Sequence, residues 1–259
     1  MKIYEPKGRA REYSPLALNY FKGCDHGCAY CYVPGMMTRF NADYKHNKVV
    51  APSSFIELEK SAKKFQGCEK QILLSFTGDP YCNTENGETR QVLEILLKYD
   101  HKVAILTKNP EKALKDGDLM LKFGDRIKIG TTLTFSQIAD SKKWEPGALA
   151  PKKRIAALRE FANQGVKTWA SFEPVIIPYQ SLVLIEYVAD FIDHVKVGKL
   201  NNYKGIDKEI DWSLFLSNTV EVMRIAKMND RFYIKKDLQA FNKGVHLSEN
   251  ETNEDYLNL

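Results

Sequence analysis

The sequence predicts an α/β fold, a partial (β/α)6-type barrel with a short seventh strand as a candidate. Three observations lead there. Short aliphatic or β-branched runs alternate with helical stretches along most of the chain, which implies parallel strands joined by right-handed crossovers. No composition break, repeat or low-complexity segment divides the 259 residues, and roughly 200–250 residues is an ordinary size for one barrel. The 44% apolar content supplies a sizeable core.

The elements follow in order. Residues 1–13, with Lys2, Lys7, Arg9 and Arg11, read as a basic extension before a barrel domain over 14–247. Residues 16–20 (LALNY) form a first strand that runs straight into a cysteine-containing loop. Ser54 with Glu57 three residues on has the capping-box pattern and opens a helix to about Phe65. Residues 71–76 (QILLSF) are a buried strand, 88–99 a helix, and 102–106 (KVAIL) a third strand. Asn109 as N-cap with Pro110 at the first helical position starts the next helix.

Further along, residues 127–133 (IKIGTTL) form a fourth strand, and a helix over 151–164 is ended by Gly165. Residues 168–172 and 195–198 are the fifth and sixth strands, with helices over 181–191 and 212–228, and 232–234 is the candidate seventh. Residues 248–259 carry four acidic residues and little apolar periodicity, so a mobile tail is expected there. In such barrels the working residues sit at the carboxyl ends of the strands.

Composition excludes some functions. No run of 18 apolar residues occurs, which rules out a membrane-spanning helix. The N-terminus is charged where an export signal needs an apolar stretch, so a cytoplasmic protein is expected. Thirty-eight Lys plus Arg against 33 Asp plus Glu gives a net charge of +5. That excess, with clusters such as Lys142, Lys143, Lys152, Lys153 and Arg154, suits either a solvated face or transient contact with a polyanion.

Of five cysteines, three fall within eight residues: Cys24, Cys28 and Cys31. A secreted disulfide scaffold would be shorter and denser in cysteine. Reduced thiols in a C-x3-C-x2-C loop suggest a metal, since thiolates suit zinc or iron–sulfur. Structural zinc wants four protein ligands, and His26, cramped between two of the cysteines, is the nearby fourth. Three cysteines on a [4Fe–4S] cluster leave one iron open to another ligand.

C-x3-C-x2-C after the first strand of a βα barrel, with the aromatic Tyr30 before the last cysteine, resembles the radical S-adenosylmethionine (SAM) superfamily. Residues 19–32 (NYFKGCDHGCAYCY) resemble more narrowly the spore photoproduct lyase-like group, also described as DNA repair photolyase-like. Later segments agree in order: residues 77–81 (TGDPY), Thr107-Lys108, 145–147 (EPG) with Arg154, and 174–178 (PVIIP). The likeness covers roughly residues 14–200.

The resemblance implies a TIM barrel of the radical SAM kind, with Cys24, Cys28 and Cys31 ligating the cluster and SAM chelating its open iron. It implies that Tyr30 contacts adenine through its backbone, that Thr77 and Asp79 stand near the methionine end of SAM, and that Lys108 pairs with the SAM carboxylate. Thr132 would reach the carboxylate or ribose, and Val175 or Ile176 would pack on adenine. Each has a plainer reading. Thr132 is a good strand former, Lys108 a solvated lysine, Val175 a core residue and Asp79 a turn cap.

One departure stands out. Where the group places a hydrogen-donating cysteine at the end of strand two, this chain has Phe76. Cys82, six residues on, is the substitute candidate. Glu173 is the other candidate catalytic residue, because a carboxylate in a barrel mouth is costly without a purpose. Lys199, Asn201, Asn202, Lys235, Lys236 and Asp237 complete the polar rim. The implied activity is reductive cleavage of SAM and hydrogen-atom abstraction, fed by a flavodoxin- or ferredoxin-like reductant. A nucleic-acid substrate is the leading expectation. A small metabolite or peptide, or a non-catalytic zinc-binding module, are the alternatives.

Overall fold

Parallel pairing needs a crossover after each strand, and the chain supplies one every time. The computed structural model describes residues 1–20, 23–39, 55–201, 203 and 205–259. Its strands are β1 (Ile3–Tyr4), β2 (Leu16–Leu18), β3 (Ile72–Leu74), β4 (Val103–Thr107), β5 (Ile127–Thr132), β6 (Lys167–Phe172), β7 (His194–Val197) and β8 (Phe232–Ile234). They lie in that order in one sheet, β2 to β8 all parallel. This is the partial barrel, and the candidate seventh parallel strand is β8. Among the described residues no helix is long and apolar enough to cross a membrane.

The strands read as continuous apolar runs because both of their faces are covered. Alternate residues divide the work. Ile72, Leu74, Val103, Ile105, Val195 and Val197 face the helices in the main core, whereas Leu73, Ala104 and Trp169 form a separate inner cluster. Trp169 fills the lumen because residue 130 is glycine. A Cβ on Gly130 would stand 2.5 Å from the indole nitrogen.

The lower interior is polar, which apolar counting does not foresee. His194 stacks on Trp169 at 5.8 Å, and Lys128 Nζ lies over the same ring. Lys196 is 1% exposed, and its Nζ donates to the carbonyls of Glu12 at 2.7 Å and Tyr13 at 3.3 Å. Burial, reinforced by Lys235, pushes the Lys196 ammonium down from 10.5 to about 7. The unfolded chain keeps that proton up to about pH 10.4, so this group makes the fold gain stability as pH rises from 7 towards 10 and withholds that gain below 7. In Lys196→Met the rise in urea midpoint between pH 7 and 9.5 should be smaller than in wild type. Parallel pH profiles would refute this.

Both terminal segments pack against the barrel. In the basic extension β1 pairs antiparallel with β2, and Glu12 and Tyr13 bond to Tyr233 of β8 and to Glu173 after β6, respectively. Tyr233 and the Lys236 N–H both donate to Glu12 Oε2 at 2.8 Å. The acidic tail is held as well. Ser248 and Glu251 form a capping box on Glu249–Thr252, buried Glu251 pairs with Arg224, and Arg11 grips Asp255 at 2.7 Å. Lys128 Nζ donates to the Leu257 carbonyl at 2.6 Å. The acidic residues there have distant basic partners, so their charge signals docking. The helix expected from Ser54 to about Phe65 is seen over Phe55–Lys64; Ser54 itself, and the rim candidate Asn202, lie outside the described residues.

Candidate metal centre and barrel mouth

The cysteine loop leaves β2 and is held on both sides by the loops that follow β3 and β5. Asp25 accepts the Asn83 N–H at 3.0 Å and the Thr84 N–H at 2.8 Å. The Gly147 N–H donates to the His26 carbonyl at 2.8 Å, and the Ala29 N–H to the Trp144 carbonyl at 2.8 Å. Gly147 is required by this contact, since a Cβ there would lie 2.3 Å from the Asp25 carbonyl oxygen.

None of the three cysteines is disulfide-bonded; Cys28 is buried, Cys24 and Cys31 partly so. Burial pushes the Cys28 thiol up to about 11 although Lys108 is near, and the Cys24 thiol higher still. Ligation by these sulfurs therefore needs a cation to displace their protons.

Their spread is informative. Among the described residues, the set of metal-ligating side chains whose atoms all lie within 4.8 Å of one another is Cys24, Asp25 and His26, not the three sulfurs. Tetrahedral zinc would bring sulfurs to roughly 3.8 Å apart, from a bond of about 2.3 Å. Asp25 and His26 are moreover committed to holding the loop: His26 Nδ1 donates to the Gly147 carbonyl at 3.1 Å. The donor set is too wide for one ion and suits a larger centre.

Beside the loop lies a buried charge network. Glu145 and Arg154, both 0% exposed, pair at 2.6 Å, and Arg154 also donates to the Thr132 carbonyl at 2.9 Å. The Tyr30 hydroxyl donates to the other oxygen of Glu145. Burial would raise the Glu145 carboxyl, but Arg154, Lys108 and these hydrogen bonds hold it below the usual range. Lys108 Nζ stands 5.5 Å over the Tyr30 ring. Burial works against its charge, yet the Cys28 and Glu145 sides outweigh that and raise its pKa. Among the described residues no carboxylate lies within 4 Å of Lys108 Nζ.

Asp79, expected near the cofactor, has a different job. Its carboxylate accepts the Tyr81 N–H at 2.8 Å, the Thr107 hydroxyl at 2.6 Å and the Lys108 N–H at 2.7 Å, with His26 Nε2 at 3.1 Å. Burial opposes its ionisation, but His26 and these donors depress the pKa well below the carboxylate range. These contacts bind the ends of β3 and β4 to the cysteine loop and use most of its acceptor capacity. Cys82 is 0% exposed, its thiol pushed up to about 12 by burial. A thiol so enclosed is held in its neutral form, and it makes no disulfide. Val175 is likewise 0% exposed and belongs to the main core.

Thr77 and Thr132 are 7% and 4% exposed at the ends of β3 and β5. The Thr77 carbonyl anchors the Gly23 N–H at 3.1 Å. Of the rim residues, Lys199 turns over Trp212 and Phe241, Lys236 pairs with Glu254, and Asn201 donates to Asp237. Glu173 and Lys235 do meet at the mouth, 2.6 Å apart. Glu145 as a hub, and Tyr13 as a mouth residue, were not identified from sequence. The Glu145–Arg154 spacing across a Pro–Gly turn was the available signal for the first.

Residues 18–192 match the profile of the Radical SAM superfamily, and the chain belongs to that superfamily. An uncharacterised protein of Methanocaldococcus jannaschii is 31% identical over 173 residues, which cover 66% of this chain and 63% of that protein. An uncharacterised protein of Acidianus two-tailed virus is 28% identical over 246 residues, 88% of this chain and 79% of its own length. Among solved structures, SuiB of Streptococcus suis bound to S-adenosylmethionine aligns with a TM-score of 0.65 at 14% identity, over 90% of this chain and 53% of SuiB. A spore photoproduct lyase mutant with bound AdoMet and dinucleoside spore photoproduct aligns at 0.62 and 13% identity, over 90% of this chain and 78% of the lyase. Those two show a shared fold. Membership of the superfamily implies an iron–sulfur cluster and SAM, and the spread of three free thiols beside a lysine that has no ion-pair partner among the described residues fits them.

Proposed function

We propose that this chain is a radical SAM enzyme, with Cys24, Cys28 and Cys31 holding a [4Fe–4S] cluster, acting on a nucleic-acid substrate. When bound, the cluster and SAM supply one-electron cleavage and hydrogen-atom abstraction. The chain supplies the frame. Tyr30, in the cysteine loop, is fixed by Glu145. Thr77 and Thr132 stand after β3 and at the end of β5 as polar groups that would contact SAM, and Arg154 ties Glu145 to β5. A flavodoxin- or ferredoxin-like protein is the proposed electron donor.

The observation that carries the SAM reading is Lys108. An ammonium beside Cys28 and over the Tyr30 ring, with no carboxylate in ion-pair reach among the described residues, is a site for an anionic group. Arg154 is already paired with Glu145, so Lys108 is the cation that would pair with the SAM carboxylate. The nucleic-acid reading draws support from the likeness to a lyase holding a dinucleoside. A peptide substrate is the second reading, favoured by a comparable likeness to SuiB bound to precursor peptide SuiA.

The test is SAM affinity. Lys108→Met should weaken SAM binding to the reconstituted protein by about tenfold or more, since a charge-assisted hydrogen bond contributes about 1.5–3 kcal/mol. It should leave binding of 5′-methylthioadenosine, which lacks the carboxylate, unchanged. Equal loss of both ligands would refute the assigned role, and a wild-type protein that binds no SAM would refute the function.

A further inference from the structure

On the β6–β8 side of the mouth a second polar group is built with evident constraint. Glu173 follows β6 and Lys235 follows β8, and both side chains lie against Gly198 between them. A Cβ there would lie 2.9 Å from Glu173 Cδ and 3.0 Å from Lys235 Cδ. Glu173 Oε2 accepts from the Tyr13 hydroxyl at 2.5 Å and from Lys235 Nζ at 2.6 Å. The Tyr13 hydroxyl also lies 2.9 Å from Ser171 Oγ, and Lys235 Nζ stands 4.6 Å over the Tyr13 ring.

Both donors thus fall on one oxygen. They aim the carboxylate and leave Oε1 without a hydrogen-bond partner among the described residues. A carboxylate oxygen is an acceptor, so its complement is an N–H or O–H, and a phosphate at this spot would be repelled.

The surroundings narrow the donor further. Tyr13 packs edge-on to Phe76 at 6.3 Å and against Trp169 at 6.2 Å. Tyr32, next to Cys31 and 52% exposed, donates its hydroxyl to the Phe76 carbonyl at 2.8 Å. Flat aromatic side chains flank a single acceptor beside the cysteine loop. A planar ring carrying an N–H satisfies both, stacking while it donates. A peptide backbone amide offers the N–H without a ring, and among peptide groups only Trp and His side chains offer both.

We propose that Glu173 is a specificity-determining residue of the substrate pocket: Oε1 accepts a hydrogen bond from an N–H of a nucleobase lodged among Tyr13, Phe76 and Tyr32. The assignment rests on the nucleic-acid reading above and locates where the base is recognised. Tyr13 and Lys235 are positioning residues that act through Glu173.

Thymine is the sharpest probe, because methylation at N3 removes its one N–H and keeps the ring. Fluorescence anisotropy of reconstituted protein with SAM would compare a short single-stranded oligothymidylate with the same strand built from N3-methylthymine. Wild type should bind the methylated strand about tenfold or more weakly, and Glu173→Ala should bind the two strands alike. Equal wild-type binding of the two strands, absence of binding to either, or a methylation penalty that persists in Glu173→Ala would each overturn the proposal. The wild-type comparison decides even where the alanine variant fails to fold. Formation of 5′-deoxyadenosine in the same preparation separates the outcomes: its presence with equal strand binding removes only the role of Glu173, and its absence removes the radical SAM function.

Discussion

A Cys28→Ala variant, reconstituted anaerobically with iron and sulfide, is expected to form no detectable 5′-deoxyadenosine from SAM. Its iron content should fall well below the roughly four atoms per chain of a complete cluster. Cys28 is the most buried of the three thiols and the one that senses Lys108 and Glu145. Its loss therefore removes the ligand nearest the proposed carboxylate site. The side chain is small and makes no disulfide, so the thermal midpoint of the metal-free protein should move little. Loss of activity without loss of stability marks a ligand rather than a packing residue. Unchanged iron content and SAM cleavage would sink the assignment.

The largest expected effect on stability comes from Arg154. Its guanidinium and the Glu145 carboxylate are both 0% exposed and 2.6 Å apart. Arg154→Ala leaves Glu145 buried without its partner, and breaking such a pair costs about 3–5 kcal/mol. The same variant also frees the Thr132 and Leu149 carbonyls that Arg154 holds. Urea unfolding should show the loss as a lower midpoint with an unchanged slope. Arg154→Met combined with Glu145→Gln should recover a large part of it, because no uncompensated charge then remains. A loss below about 1 kcal/mol, the scale of an exposed pair, would show that solvent reaches the pair.

The periodic part of the fold was legible in the chain. Runs such as KVAIL and IKIGTTL could only be buried strands, and Asn109-Pro110 announced a helix start that the structure has, with Asn109 accepting the Lys112 N–H. Short elements were not legible. Val33–Arg39, Gly117–Phe123 and Ile138–Trp144 each span about two turns, too short for periodicity to stand above noise. The contacts of the tail were not legible for another reason: Ser248 and Glu251 carry the capping-box pattern, but the charges around them suggested solvent. Arg224, Arg11 and Lys236, which neutralise that segment, are far away in sequence.

The sequence by itself determined the cysteine triad, the order of the strands and which residues end them, because spacing and periodicity are local properties. Only the tertiary structure decided how each of those ends is buried and hydrogen-bonded. Asp79 and Lys108 both follow strands, yet one has most of its acceptor capacity used by neighbours and the other has no carboxylate within reach among the described residues. Cys82 and Glu173 were equal candidates, and they differ in burial. Hydrogen-bond saturation and burial are set by contacts between residues tens to hundreds of positions apart. Tyr13, 160 positions from Glu173, therefore became a mouth residue only when the chain closed on itself.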